Sequence, residues 1–320
     1  MKVLVTGGLG YIGSHTVVKL VEAGHEPVIL DDLSNSTIQT LYNLEKITGK
    51  KLQFIQADMK RDLIPLHDIE AVIHFAAYKS VGESVKEPTK YYVNNILSLI
   101  RLIKAMEKNN VKKLIFSSSC TVYGQPDKYP VTEKTPLKEP ESPYGKTKRL
   151  CEDVITDVSN RTDLNAVLLR YFNPIGNHES GLIYDNPKGK PENLLPYIVK
   201  VINKELPHLN VFGGDYNTHD GTAIRDYINV EDLAEAHIKA LDIKDKFEIF
   251  NLGSGDGYSV LDIIKTYKEL GINVPYQIVD RRPGDIEAIY SDNSKAEKVL
   301  KFKTTKTLKD SIKSTLNIKS

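Results

Sequence analysis

Ser119, Tyr144 and Lys148 have the residue types needed to move a proton at a hydroxyl-bearing carbon. A tyrosine titrates near ~10 in water, too high for a base at neutral pH. A positive charge beside it favours the phenolate and lowers that value. The phenolate then takes a proton from an alcohol as hydride leaves the same carbon, while a serine hydroxyl holds the alcohol in place. Spacing alone does not select this pair. Tyr-x-x-x-Lys occurs at Tyr42/Lys46, Tyr144/Lys148 and Tyr184/Lys188. With 17 tyrosines and 35 lysines in 320 residues, chance gives about two such pairs. Tyr42/Lys46 has no serine-bearing strand end at a suitable distance upstream. Tyr184/Lys188 encloses Asn186-Pro187, and the proline disfavours a helical turn. Only Tyr144/Lys148 follows the segment "IFSSSC", with Ser119 25 residues before Tyr144. On a helix, Tyr144 and Lys148 lie one turn apart and face the same way.

The elements that must position these residues are legible as alternating patterns. The apolar runs "KVLVT", "EPVIL", "KLQFIQ", "AVIHFA", "KKLIFS" and "AVLLRYF" are continuous rather than alternating. That is the mark of parallel strands covered on both faces. Helical patterns lie between them, over about 11–23, 36–48, 88–109 and 143–159. Strand–helix alternation to about residue 175 predicts an α/β fold with a Rossmann-type doubly wound parallel sheet. Right-handed crossovers put all strand C-termini on one edge. Residues 174–192, rich in Pro, Gly, Asn and Lys, read as a loop. Beyond it the helical "NLLPYIVKVINKE", the strands "RDYINV", "EIFNLG" and "VPYQIV", and helices around 231–242, 259–270 and 294–300 suggest a smaller mixed α/β domain. The expected division is 1–174 for a dinucleotide-binding domain and 175–320 for a substrate domain, with about 225–252 returning to the first.

Several strand ends carry ligand-binding residue types. In "VTGGLGYIG", Gly7 permits a tight turn, Gly10 lets backbone amides approach a pyrophosphate, and Gly13 permits close helix–sheet packing. Asp31 ends the second strand 24 residues after Gly7. A carboxylate there accepts both ribose hydroxyls and favours NAD over a 2′-phosphorylated cofactor. Asp32, Ser34 or Asn35 could instead cap the next helix. Asp58 ends a further strand, where it could meet an adenine amino group or serve as a cap. Phe75, Ala76 and Ala77 end the fourth strand, and Lys79 just beyond could bind a phosphate. Arg225 and Arg282, two of eight arginines, suit a diphosphate, since guanidinium forks match phosphate oxygens. An ion pair is the plainer reading of both.

Composition narrows the function classes. The chain is 40% apolar and 27% charged, with a net charge of +1. It therefore carries no long-range field for nucleic acid or an acidic membrane. Cys120 and Cys151 are the two cysteines, which makes no disulfide framework and suits a reducing, cytoplasmic setting. The opening "KVLVTGG" reads as a strand rather than a secretory signal. No apolar run approaches the ~18–20 residues of a bilayer span. The histidines are scattered, so no metal site is expected.

Together these motifs resemble the extended short-chain dehydrogenase/reductase superfamily, and within it the UDP-glucose 4-epimerase family. The resemblance rests on "VTGGLGYIGSHT", "HFAAYKSVGES", "FSSSCTVYG", "SPYGKTK", "LRYFNPIGNHESG", "NLLPYI", "DGTAIRDYINVEDLA", "NLGSGDGYSVLD" and "RRPGDI", which span most of the chain in order. It implies a UDP-sugar substrate and NAD kept as a prosthetic group. It implies that Tyr144 takes the 4-hydroxyl proton while hydride passes from C4 to NAD. The 4-ketosugar then turns about its bond to the UDP phosphate, and hydride returns to the opposite face. By the same resemblance NAD is held by Gly7, Gly10, Tyr11, Ile12, Gly13, Asp31, Asp32, Leu33, Ser34, Asn35, Ser36, Asp58, Met59, Phe75, Ala76, Ala77, Tyr78, Lys79, Asn94, Tyr144, Lys148 and Phe172. The UDP-sugar falls to Ser119, Tyr144, Asn173, Asn193, Leu194, Asn210, Val211, Phe212, Arg225, Arg282, Pro283, Gly284 and Asp285. The resemblance also implies a homodimer through the helices around 90–108 and 143–159, where Ile100, Ile103, Leu150 and Val154 are apolar positions that could equally pack against the sheet.

Three other readings compete. A nucleotide-sugar 4,6-dehydratase starts with the same oxidation, but needs an Asp-Glu pair straight after the serine or threonine. Cys120 and Thr121 stand there instead. An epimerase for UDP-N-acetylhexosamine or UDP-glucuronate differs near the sugar's C2 substituent, where this chain has Ile289, intermediate in size. A non-catalytic NAD-binding sensor commonly loses the triad, which is complete here.

Overall fold

The computed structural model describes residues 1–188 and 193–317. The chain begins β1 (Lys2–Thr6), α1 (Tyr11–Glu22), β2 (Glu26–Asp31), α2 (Ile38–Thr48), β3 (Gln53–Gln56), β4 (Ala71–His74), α3 (Val81–Lys86), α4 (Pro88–Lys108), β5 (Lys113–Ser119), a 3-10 turn over Cys120–Tyr123, α5 (Pro143–Arg161) and β6 (Asn165–Tyr171). It continues with β7 (Asn173–Ile175), α6 (Leu194–Ile202), β8 (Leu209–Phe212), β9 (Ile224–Arg225), β10 (Tyr227–Asn229), α7 (Val230–Leu241), β11 (Phe247–Leu252), β12 (Tyr258–Ser259), α8 (Val260–Glu269), β13 (Tyr276–Val279), β14 (Ala288–Ile289), a π-helical turn over Ala296–Leu300 and α9 (Leu308–Ser314).

The main sheet has seven strands in the order β11-β6-β5-β4-β1-β2-β3, and every pairing in it is parallel. The chain winds outward from β1 to β3, then returns to the other side of β1 as β4. That reversal opens a crevice beyond the C-termini of β1 and β4, where ligands of such sheets bind. β11 joins the sheet beside β6, and α7 lies against α1. Alternate residues of the strands enter opposite core layers. Val3, Val5, Ile73 and Ile115 pack on the α1, α2 and α7 side, and Leu4, Val72, Leu114 and Phe116 on the α4 and α5 side. Each fully buried side chain of this kind contributes about 1.5–3 kcal/mol, which is why these runs are apolar throughout. β3 departs from the expectation: as an edge strand it leaves Gln53 and Gln56 exposed.

A third cluster holds the smaller layer together. It joins Ile198, Val211, Tyr227, Ile263, Tyr267 and Ile312 around the β8–β13 pair and α6, α8 and α9. Of the loop expected over 174–192, residues 189–192 lie outside the described residues, and its first residues form β7, which pairs with β10. Ile103 is buried against the sheet, whereas Leu150 is exposed.

Candidate active site

The segment "SPYGKTK" folds as a helix start. Ser142 is the N-cap and accepts a hydrogen bond from the Gly145 amide at 3.2 Å, with Pro143 in the first turn. A capping serine followed by proline is a strong start signal. It fixes Tyr144 at the second helical position and Lys148 one turn on. Both line a cleft of about 910 Å³ that also takes in Ser119, at the end of β5. The Ser119 hydroxyl accepts from the Thr121 side chain at 3.0 Å and lies near enough to the Tyr144 hydroxyl to favour its phenolate. Lys148 is buried and its Nζ donates to the Ser117 carbonyl at 2.5 Å.

Electrostatics here differ from the expectation drawn from the residue types. Burial pushes Tyr144 up to about 12, against the Ser119 hydrogen bond, and Lys148 is not among the groups that shift it. Burial also lowers Lys148 to about 8. The ammonium is turned onto the Ser117 carbonyl, and Ser119 is the triad partner that favours the phenolate in this arrangement.

The glycine-rich turn is built for close approach. Gly7 has φ +68°, and a Cβ there would lie 2.9 Å from the Ala76 amide nitrogen. A Cβ on Gly13 would lie 2.3 Å from the Gly7 carbonyl oxygen. Gly10 is the N-cap of α1 and lines the cleft with Tyr11 and Ile12. Asp31 is buried and accepts from Leu33 N at 3.0 Å and Ser36 Oγ at 2.7 Å through Oδ1, and from Leu9 N at 3.1 Å through Oδ2. Among the described residues Oδ2 takes that one donor, and a carboxylate oxygen can accept a second. Burial raises the Asp31 carboxyl despite these bonds. Neither Asp32, Ser34 nor Asn35 caps α2; its N-cap is Thr37, without a side-chain bond. Asp58 meets Lys60 Nζ at 2.9 Å, and Lys60 reaches Asn94 at 2.8 Å. Burial works against the Asp58 carboxylate, but the Lys60 bonds outweigh it and hold its carboxyl low. Lys79 lies 3.7 Å from Asp185. A cradle that any Cβ would fill, and a carboxylate at the end of β2, fit a dinucleotide.

At the opposite end, Arg282 grips Asp285 with two hydrogen bonds of 3.0 and 3.2 Å, and Arg225 stands 3.9 Å from the same carboxylate. The ion pair read from sequence is therefore present, but inside the cleft rather than on the surface. Asn173, Phe172, Asn193 and Gly284 line it too, as do Met59, Phe75, Ala77, Tyr78 and Ser36. Leu33, Leu194, Asn210, Val211, Phe212 and Pro283 do not. Leu33 packs on the core at φ +60°, Leu194 joins the third cluster, and Val211 is buried in it. Asn210 bonds Gln277, and Phe212 lies under the Arg282 guanidinium at 5.5 Å. Pro283 is exposed.

Other residues escaped the sequence reading. Asn95 bonds both the amide and the carbonyl of Tyr78 and reaches Thr147 at 2.9 Å, joining the loop after β4 to α5. Asp226 is buried and takes five hydrogen bonds from Ser254, Gly255 and Ser291, fixing β9 and Arg225. Its place between Arg225 and Tyr227 was the available signal. Among the described residues, His219, Asp220 and Asp262 bring ligand-type atoms within 4.8 Å of one another, but the two carboxylates accept from Thr222 and Ser259 and lie outside the cleft lining.

A family model described as the NAD dependent epimerase/dehydratase family matches residues 3–253. A UDP-glucose 4-epimerase of Pasteurella multocida (strain Pm70) is 47% identical, with 98% of this chain and 96% of that protein covered. One of Bacillus subtilis (strain 168) is 48% identical, covering 97% and 94%. The crystal structure of UDP-glucose 4-epimerase from Bifidobacterium longum in complex with NAD+ and UDP superposes with a TM-score of 0.95 at 46% identity, covering 99% of this chain and 97% of that one. With the glycine cradle, the triad and the arginine pair in one cleft, the chain belongs to the UDP-glucose 4-epimerase family, within the NAD dependent epimerases and dehydratases.

Proposed function

We propose that the cleft interconverts UDP-galactose and UDP-glucose by transient oxidation at the sugar C4, with NAD retained on the protein. The observation that carries this is the meeting of Ser119, Tyr144 and Lys148 with the glycine cradle, in a cleft where Cys120 and Thr121 replace the carboxylates a dehydratase needs. NAD, when bound, supplies a reversible acceptor for the C4 hydrogen. Gly7, Gly10, Gly13, Asp31 and Lys79 would hold it. Tyr144 takes the proton of the 4-hydroxyl and gives it back, Ser119 orients that hydroxyl, and Lys148 supplies the positive charge that favours the phenolate. With burial holding Tyr144 up at about 12 and the Lys148 ammonium resting on the Ser117 carbonyl, the base forms as that ammonium turns toward the tyrosine. Arg225 and Arg282 hold the diphosphate by trading Asp285 for phosphate oxygens. The nucleotide is thus gripped while the hexose stays loosely held and free to turn. Ile289 is buried beside Cys120 and Phe172 and bounds the sugar end.

The buried thiols of Cys120 and Cys151 support work in a reducing cytoplasm. Exposed Val93, Leu97 and Leu150 on α4 and α5 support a homodimer through those helices. The test is an assay of purified protein with UDP-galactose, and separately with UDP-N-acetylgalactosamine, without added NAD. UDP-glucose forms from the first. A stable 4-keto-6-deoxy product, or turnover of the N-acetyl sugar alone, would replace this reading.

A further inference from the structure

Glu152 lies one helical turn beyond Lys148 on α5, so the two side chains leave the same face. It is 4% exposed, and it forks onto the guanidinium of Arg170 on β6, itself 2% exposed, with bonds of 2.9 and 2.7 Å. Burying two charges costs several kcal/mol, and apolar residues often pack such a site as well or better. This pair is fully engaged. Glu152 Oε1 also accepts from Ser118 Oγ at 2.5 Å. Arg170 Nη1 donates to the Tyr123 hydroxyl at 3.0 Å, which donates to Asn251 at 2.7 Å. The contacts on β5 are consecutive. Ser117 takes the Lys148 ammonium on its carbonyl, Ser118 gives its hydroxyl to Glu152, and Ser119 meets Tyr144.

We propose that Glu152, held by Arg170, is a positioning residue for the reaction: it clamps the end of β5 to α5 and sets a negative charge one turn from the Lys148 ammonium. The proposal rests on the epimerase reading. The groups facing Lys148 are His74 on β4, the Phe116 ring on β5 at 4.9 Å, and Tyr144, Cys151 and Glu152 on α5. Burial keeps His74 neutral, lowering it to about 3, and keeps the Cys151 thiol neutral, raising it to about 12. Cys151 and then Glu152 oppose the burial penalty on the lysine, which stands at about 8; with the thiol neutral, Glu152 is the charged one of the two. Removing its charge lowers Lys148 further, so the ammonium is lost at a lower pH.

The test is the pH profile of Glu152→Gln, which keeps the shape and removes the charge. We expect kcat to fall about tenfold at pH 8.5 and less than about twofold at pH 6.5, a shift of about one pH unit in the alkaline limb. KM for UDP-galactose and retention of NAD stay as in wild type. A loss equal at every pH would mean a merely structural role and overturn the proposal, as would no loss. If that variant does not fold, Glu152→Asp decides. It keeps the charge and shortens the clamp, so kcat falls several-fold with the alkaline limb unmoved; wild-type kcat, or a displaced limb, would overturn the proposal. An inactive wild type would defeat the epimerase reading itself, whereas these outcomes bear only on Glu152.

Discussion

In the proposed mechanism Tyr144 carries the proton, so its hydroxyl is the atom to remove first. Tyr144→Phe keeps the ring and loses the base, and general-base removal costs about 10²–10⁴ in rate. The expected result is that loss in kcat with NAD still bound, read from turnover and from the nucleotide released on denaturation. Turnover at the wild-type rate would contradict the role of Tyr144 without touching NAD binding. The triad was legible because three residue types stood at defined distances along the chain. What those types do not carry is orientation. The lysine was expected to work on the tyrosine directly, yet its ammonium sits on the Ser117 carbonyl and burial dominates both groups.

Among elements, the β1–α1 turn sets the cofactor end. A methyl at Gly13 would meet the Gly7 carbonyl at 2.3 Å and the Gly8 Cα at 2.9 Å, both backbone atoms that have no room to yield. Gly13→Ala therefore opens the turn, and the purified variant is expected to carry less than about a tenth of the wild-type NAD, as an affinity loss of more than about 1.4 kcal/mol produces. Full NAD content in that variant would contradict the cradle. The long runs of β1, β2, β4, β5 and β6 could be read because both faces are covered and the apolar signal is continuous. β9, β12 and β14 have two residues each, too few for any period to show. The pairing of Glu152 with Arg170 joins a helix to a strand 18 residues on, and only the packing of α5 on β6 reveals it.

For the whole molecule, three buried histidines set an acid limit. Burial lowers His15 and His74 to about 3 and His237 to about 4, whereas an unfolded histidine titrates near ~6.5. Between those values the unfolded chain binds more protons, so stability is full above about pH 6.5 and declines as pH falls toward 4. Denaturant midpoints measured from pH 7 to 4.5 are expected to drop steadily, and a flat profile would contradict neutral burial. The exposed apolar residues of α4 and α5 make a second prediction at this scale. Leu97→Glu with Leu150→Glu is expected to shift the protein from dimer to monomer in sedimentation, and an unchanged mass would remove that interface. In the proposed function the molecule divides into a nucleotide end, a diphosphate clamp and a loosely bounded sugar between them, which yields one central claim: the hydrogen leaving C4 is the hydrogen that returns to it. UDP-galactose carrying deuterium at C4 tests it most directly. The account predicts UDP-glucose with the deuterium still at C4 after turnover in ordinary water; deuterium lost to solvent, or found at C6, would contradict it.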